Sequence, residues 1–228
     1  KIGIVASVRH PQIKYPEGDL WHGPWARQPH HCVSYDSCHD NHTLWDKLQI
    51  TTEGLKDADR LAMNRLAAVI VLTSQGISFL HAGEEMARTK KGHENSYNLS
   101  DAINAISWSR KVKYADLVAY YRGLIALRKA YPAFRMKSAE AIRRRLSFLS
   151  MPVTGMVGYR IRGTDNHDEQ VIVILNPTVE KQNVSLPESG WKVLVDDQRA
   201  GTQCLRRIKG NTCEVQARSA LVLSKPHS

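Results

Sequence analysis

Apolar residues recur at Leu55, Ala58, Leu61, Ala62, Leu66, Val69, Ile70 and Leu72, the three- and four-residue spacing of one helix face. This predicts a helix over 55–73, with Gly76 as its stop signal. The same spacing at Leu117, Val118, Tyr121, Leu124, Ile125 and Arg128 predicts a second helix over 114–131, closed by Pro132. A short extended apolar segment precedes each helix, at 33–37 and 77–80. The first 134 residues therefore read strand–helix–strand–helix, an alternation that predicts a parallel sheet. Beyond residue 137 the texture changes to short β-rich runs at 157–161, 170–175, 191–195 and 220–223. Turn-formers such as Asn176-Pro177 and Pro187-Glu188-Ser189-Gly190 separate them, which predicts an antiparallel β-sandwich. The expected division is 1–136 and 137–228.

Both predicted strands run into polar residues. The first continues as Val33-Ser34-Tyr35-Asp36-Ser37-Cys38-His39-Asp40-Asn41-His42-Thr43-Leu44-Trp45-Asp46, and the second ends in Ala82-Gly83-Glu84-Glu85. On β/α scaffolds the residues that follow a strand are where chemistry sits. Residues 1–31, rich in Pro and Gly and holding Trp21 and Trp25, read as a long irregular loop. Another polar loop covers 88–101.

Composition changes this picture little. At 228 residues, with 42% hydrophobic and 24% charged, the chain has the balance of a globular protein with a real core. No apolar run reaches the roughly 20 residues of a membrane span, so no membrane partner is expected. The first seven residues hold too short an apolar core for a signal peptide, and no compartment follows from them. The chain also starts without Met and in mid-pattern, so it is expected to be a piece of something longer.

The net charge of +10 raises nucleic acid as a partner. The basic residues are scattered apart from Arg143-Arg144-Arg145 and Arg206-Arg207, and no recognition motif accompanies them, so a solvated face is the preferred reading. Cys32 and Cys38 flank one extended segment and lie too far apart to bond. Cys204 and Cys213 bracket an expected hairpin at Lys209-Gly210-Asn211 whose register would not pair them. His39-x-x-His42, with His30 and His31 nearby, lacks the Cys or carboxylate spacing of a zinc site. Neither metal nor cofactor is expected.

With the elements placed, the chain resembles the type I pullulanases, debranching enzymes of the α-amylase superfamily. His10-Pro11-Gln12-Ile13 is similar to their segment upstream of the seventh barrel strand. Val33 to Asn41 resembles the fourth conserved region, at the end of that strand. Glu84-Glu85, Arg88-Thr89-Lys90 and Asn95-Ser96-Tyr97-Asn98 resemble the loop after the eighth strand. Leu127-Arg128-Lys129-Ala130-Tyr131-Pro132-Ala133-Phe134-Arg135 resembles the end of the last barrel helix. The resemblance implies the last two β/α units of a (β/α)8 barrel followed by a C-terminal all-β domain.

It also implies a retaining glycoside hydrolase that cleaves α-1,6 branch linkages in pullulan, starch or glycogen. Retaining enzymes need two carboxyl groups about 5–5.5 Å apart. The segments that would supply the nucleophile and the acid/base lie upstream of Lys1. Gly158-Tyr159-Arg160-Ile161-Arg162 imitates the nucleophile motif with Arg162 in the wrong place, and Gly83-Glu84-Glu85-Met86 imitates the acid/base motif out of order.

By resemblance, Asp40 and His39 stabilise the transition state, and Asn41, Trp45, Glu84, Arg88, Asn95 and Tyr97 bind substrate. Trp21 and Trp25 also have aromatic faces that suit sugar rings, while Trp108 and Trp191 are expected in the core. The implied partners are the α-glucan and an upstream barrel half. This chain alone is expected to be inactive, and to expose strand edges and apolar surface that the missing units would cover. Two alternatives stay open: a non-catalytic glucan-binding or truncated structural fragment, and another debranching or α-1,4-acting amylase. Asp36 departs from the family pattern, standing where an apolar residue is usual. It would need a pairing Arg, a frayed strand end, or a degenerate site to explain it.

Overall fold

The computed structural model describes residues 1–16, 23–163 and 169–226. Single 3-10 turns at Gly3–Val5 and Pro29–His31 precede the first strand, β1, at Val33–Ser34. Helices α1 (Leu44–Thr51) and α2 (Asp57–Thr73) lead to β2 (Ile77–Ser78). β1 and β2 pair in parallel, Val33 opposite Ile77 and Ser34 opposite Ser78. Parallel neighbours require a crossover, and α1 and α2 provide it. Both strands are shorter than their apolar runs. Only two residues of each find a ladder partner, and the rest of each run continues as irregular chain.

After β2 come short helices α3 (Asp101–Asn104) and α4 (Ser109–Lys113), then the long α5 (Ala115–Ala130) and α6 (Ala139–Arg145). The two long helices match their predicted spans to within two residues at each end. Asp57 and Asp59 sit in the first turn of α2, where acidic charge complements the helix dipole. Its last carbonyls are taken by Arg128 from α5, which donates to the oxygens of Leu72 (3.0 Å), Ser74 (2.7 Å) and Gly76 (2.8 Å). Gly76 then turns the chain at φ +88°. A side chain there would meet the carbonyl oxygens of Cys32 and Pro29 at 2.7 and 3.0 Å, because β2 begins directly against the residues that lead into β1.

The remaining strands are β3 (Leu146–Leu149), β4 (Val157–Ile161), β5 (Glu169–Asn176), β6 (Gln182–Ser185), β7 (Lys192–Val195), β8 (Arg206–Arg207), β9 (Thr212–Val215) and β10 (Ser219–Pro226). Six of them form one antiparallel sheet in the order β3-β4-β5-β10-β7-β8, and β6 and β9 form a second pair. The run Val171-Ile172-Val173-Ile174-Leu175 is apolar at every position because both faces of β5 are buried. Val171, Val173 and Leu175 pack with α2, α5 and the 3-10 segments, whereas Ile172 and Ile174 pack toward Val184, Val215 and Trp191. The expected two-layer antiparallel arrangement is therefore present.

Several expectations are corrected by this topology. Cys204 and Cys213 do not bracket a hairpin: β8 pairs with β7 and β9 with β6, and all four cysteines are free. Within residues 1–31, Ile4, Val5, Ala6 and Val8 are fully or nearly fully buried in the main core. His10 and Gln12 bind Leu146 and Phe148 of β3, so this segment packs as part of the fold. Trp108 is exposed, while Trp191 is buried as expected. The decoy motif is packing: Tyr159 is fully buried and its hydroxyl donates to Thr73 of α2, and Arg160 pairs with Glu188 at 2.8 Å. One core thus runs through both halves of the chain.

Candidate functional site

The site lies where β1 and β2 end. His39 and Asp40 sit on the segment after β1, both largely exposed, with ring nitrogen and carboxylate 3.4 Å apart. Asn41 follows at φ +61°, a left-handed conformation that Asn tolerates better than most residues. That turn delivers Thr43 to the start of α1, where its hydroxyl accepts from the amide of Asp46 at 3.1 Å, an ordinary N-cap.

Asp46 is buried and does more than start a helix. Its carboxylate accepts from the hydroxyl of Thr89 and, at 2.7 Å, from the amide of Lys90. The Lys90 ammonium then reaches Ser96 at 2.7 Å. The loop after β2 is thereby tied to the helix that follows the His39–Asp40 turn. Burial lowers the Lys90 ammonium, Arg88 adds to that, and Asp46 and Asp40 oppose it. Replacing Asp46 by Ala orphans a buried amide and a half-buried hydroxyl, and is expected to cost about 2 kcal/mol. The Lys90 amide should then lose its hydrogen-exchange protection, while the amides of β5 keep theirs.

His81, three residues beyond β2, is a residue that sequence reasoning missed. It is buried and held down to about 4, first by burial and then by Arg88, Lys90 and His39 around it. It is therefore neutral near pH 7 and can accept from Arg88, whose Nη1 lies 3.3 Å from its Nε2. Arg88 also donates to the carbonyls of Ala82 (2.9 Å) and Asn104 (2.7 Å), so most of its donors hold the loop together. Asn95 and Tyr97 are exposed on that loop, Tyr97 almost wholly.

Two predicted substrate contacts are corrected. Trp45 is 3% exposed and packs on Tyr114 with ring centres 5.7 Å apart, so its face is not open to a sugar ring. Glu84 is 4% exposed and faces inward. Its Oε2 accepts from Ser37 at 2.8 Å and its Oε1 lies 3.0 Å from the Tyr121 hydroxyl. Burial, and then the charge of Asp36, push Glu84 up to about 8, while Asp36 itself lies exposed at the surface. Of the other aromatics, Trp25 is exposed and Trp21 lies outside the described residues. The donor atoms of Cys38, His39 and Asp40 fall within 4.8 Å of one another. They are consecutive on one loop and include neither His42 nor the His30–His31 pair.

Part of this was legible in the sequence. Thr43-x-x-Asp46 has nearly the spacing of a capping box and marks Asp46 as structural. Nothing local marks His81, because its neutrality depends on residues seven and nine positions later and on His39 from the other strand.

The fold has close counterparts. Residues 142–199 match the family model described as "Pullulanase, all-beta domain". Over 176 residues, 76% of this chain, the sequence is 40% identical to a pullulanase of Bacillus subtilis (strain 168). The chain belongs to the pullulanase family. The crystal structure of Bacillus subtilis type I pullulanase complexed with maltose superposes on 99% of it, with a TM-score of 0.88 and 33% identity. That of the Paenibacillus barengoltzii pullulanase complexed with maltohexaose and α-cyclodextrin also covers 99%, at 0.84 and 38%. The chain spans 24% of the first of these proteins' length, and 30% and 33% of the two solved chains. A C-terminal portion of a pullulanase fits these shares.

Proposed function

We propose that this chain is the portion of a retaining, pullulanase-type glycoside hydrolase that carries the end of a (β/α)8 barrel and its C-terminal all-β domain, residues 1–136 and 137–228. The single observation that carries the reading is the His39–Asp40 pair, exposed beyond the C-terminal end of one of two parallel strands. That is where barrel active sites sit. Relatives of this fold are solved with maltose and maltohexaose bound.

In this reading Asp40 accepts hydrogen bonds from sugar hydroxyls at the cleaved glucose and favours its oxocarbenium-like shape, and His39 donates to the same ring. As an anion it would also help keep a nearby acid protonated, since like charges resist joint ionisation. Asn41, Asn95, Tyr97 and the outer part of Arg88 line the approach. The attacking carboxylate and the proton donor belong to the upstream units. Those units would cover the apolar surface of the β1–β2 pair, where Val33, Tyr35, Ile77 and Phe79 are all exposed.

The chain by itself, incubated with pullulan, is expected to release no reducing ends. Release by the pure chain would overturn the assignment of the nucleophile and the acid to the upstream units.

A further inference from the structure

Cys38, His39 and Asp40 are consecutive, and an extended chain would send the middle side chain to the side opposite the other two. The chain is not extended there. It bends at 39–41, with Asn41 in the left-handed region at φ +61°, and the Cys38 sulfur lies 3.8 Å from the Asp40 carbonyl oxygen. The bend brings the thiol, one ring nitrogen and one carboxylate oxygen within 4.8 Å of one another. Among the described residues this is the one such group of three His, Cys, Asp or Glu donors.

Thiolate, imidazole and carboxylate are the donors that zinc-like ions take. With bonds of about 2.0–2.2 Å, a nitrogen and an oxygen on tetrahedral zinc stand roughly 3.4 Å apart, and a sulfur at about 2.3 Å stands roughly 3.6 Å from either. His39 Nε2 and Asp40 Oδ2 are already 3.4 Å apart. The Cys38 sulfur has to move in by no more than about 1.2 Å, the swing of one side chain. An exposed His–Asp pair contributes little by itself, so an ion entering between them breaks no strong contact.

The charges fit as well. A thiolate, a carboxylate and a neutral imidazole balance a dipositive ion, and the Cys38 proton leaves to solvent. The nearby cations are engaged elsewhere. Lys90, on which the Asp40 and Cys38 charges act, holds Ser96 at 2.7 Å, and Arg88 donates to the carbonyls of Ala82 and Asn104. We propose that the Cys38–His39–Asp40 turn binds one soft divalent ion of the zinc type, through three protein ligands and a water at the fourth position. A structural zinc is closed by four protein ligands, whereas three leave one position to solvent. The bound ion occupies His39 and Asp40, so ion and glucan exclude each other; that consequence rests on the glucan reading given above.

The test titrates the reduced, metal-free 228-residue chain with Co2+ and then with Zn2+. One equivalent of Co2+ should produce a thiolate-to-cobalt charge-transfer absorption, and Zn2+, the tighter-binding ion, should bleach it. Cys38→Ser should abolish the absorption. His39→Gln should weaken binding at least tenfold, since loss of even an outer-shell partner costs about 10–100-fold. No charge-transfer absorption in the parent, or an equal one in Cys38→Ser, overturns the site. Neither readout involves a glucan, so such a failure leaves the proposed activity standing. In a mixture of this chain with upstream pullulanase units, Zn2+ should suppress release of reducing ends from pullulan at least tenfold more in the parent than in Cys38→Ser. Equal suppression overturns the competition, and an inactive mixture counts against the glucan reading and not against the ion site.

Discussion

Gly123→Ala should destabilise the chain by about 3 kcal/mol, although Ala is the better helix former. In mid-helix, Ala for Gly normally gains close to 1 kcal/mol. Here a Cβ would lie 2.0 Å from the carbonyl oxygen of Ala200 and 2.5 Å from its carbonyl carbon. Those are backbone atoms of a turn pinned on both sides. Ala200 bridges Val195, and Gly201 donates to Leu194. The Tyr120 hydroxyl donates to Asp196 at 2.9 Å from the α5 side. The clash is relieved only by lifting α5 off the sheet, and overpacking of this kind costs 1–3 kcal/mol or more. Urea unfolding at low protein concentration measures the sign. A stabilised variant would mean that α5 and the β7–β8 turn do not touch.

Arg128→Met should cost a comparable amount for a different reason. Arg128 is 9% exposed, and its guanidinium gives hydrogen bonds to three carbonyls at the exit of α2. Burial and the nearby Arg135 lower it to about 10, so it remains charged near pH 7. Met matches the apolar stem but leaves those carbonyls with no donor. A hydrogen bond to a charged group contributes roughly 1.5–3 kcal/mol, and some of that is recovered from water, which leaves an expected loss of about 3 kcal/mol. Because Ser74 and Gly76 lead into β2, the amides of Ile77 and Phe79, which bond Cys32 and Ser34, should exchange faster in the variant. Unchanged exchange there would mean that the helix exit and the strand pair are not coupled.

The two long helices and the antiparallel strands were legible because their signal is local. Apolar spacing along α2 and α5 reports one buried face, and the unbroken apolar run of β5 reports two. Arg128 shares the helical spacing of the apolar stripe of α5, and it is buried with that stripe. Its carbonyl partners come from 52–56 positions earlier, and no local pattern shows them. The same holds for Trp45, which has a Tyr114 partner 69 positions on, and for Trp108, an aromatic residue that simply lies exposed at the start of α4.

Asp36 is the most instructive position. The sequence marks it as anomalous, a carboxylate in a run of strand residues beside a catalytic-looking motif. Its charge acts on Glu84, 48 positions away, and only the fold brings the two acids near each other. By contrast, His39 and Asp40 are adjacent in the chain and need no folding to lie 3.4 Å apart.

The central claim is that Asp40 completes a pullulanase active site whose nucleophile and acid come from upstream units. The most direct measurement mixes this chain with the upstream three quarters of the Bacillus subtilis pullulanase and follows release of reducing ends from pullulan. The account predicts activity in the mixture, none from either part alone, and a loss of at least about a hundredfold when this chain carries Asp40→Asn, the scale seen when a transition-state contact is removed. Equal activity with Asp40→Asn would contradict it.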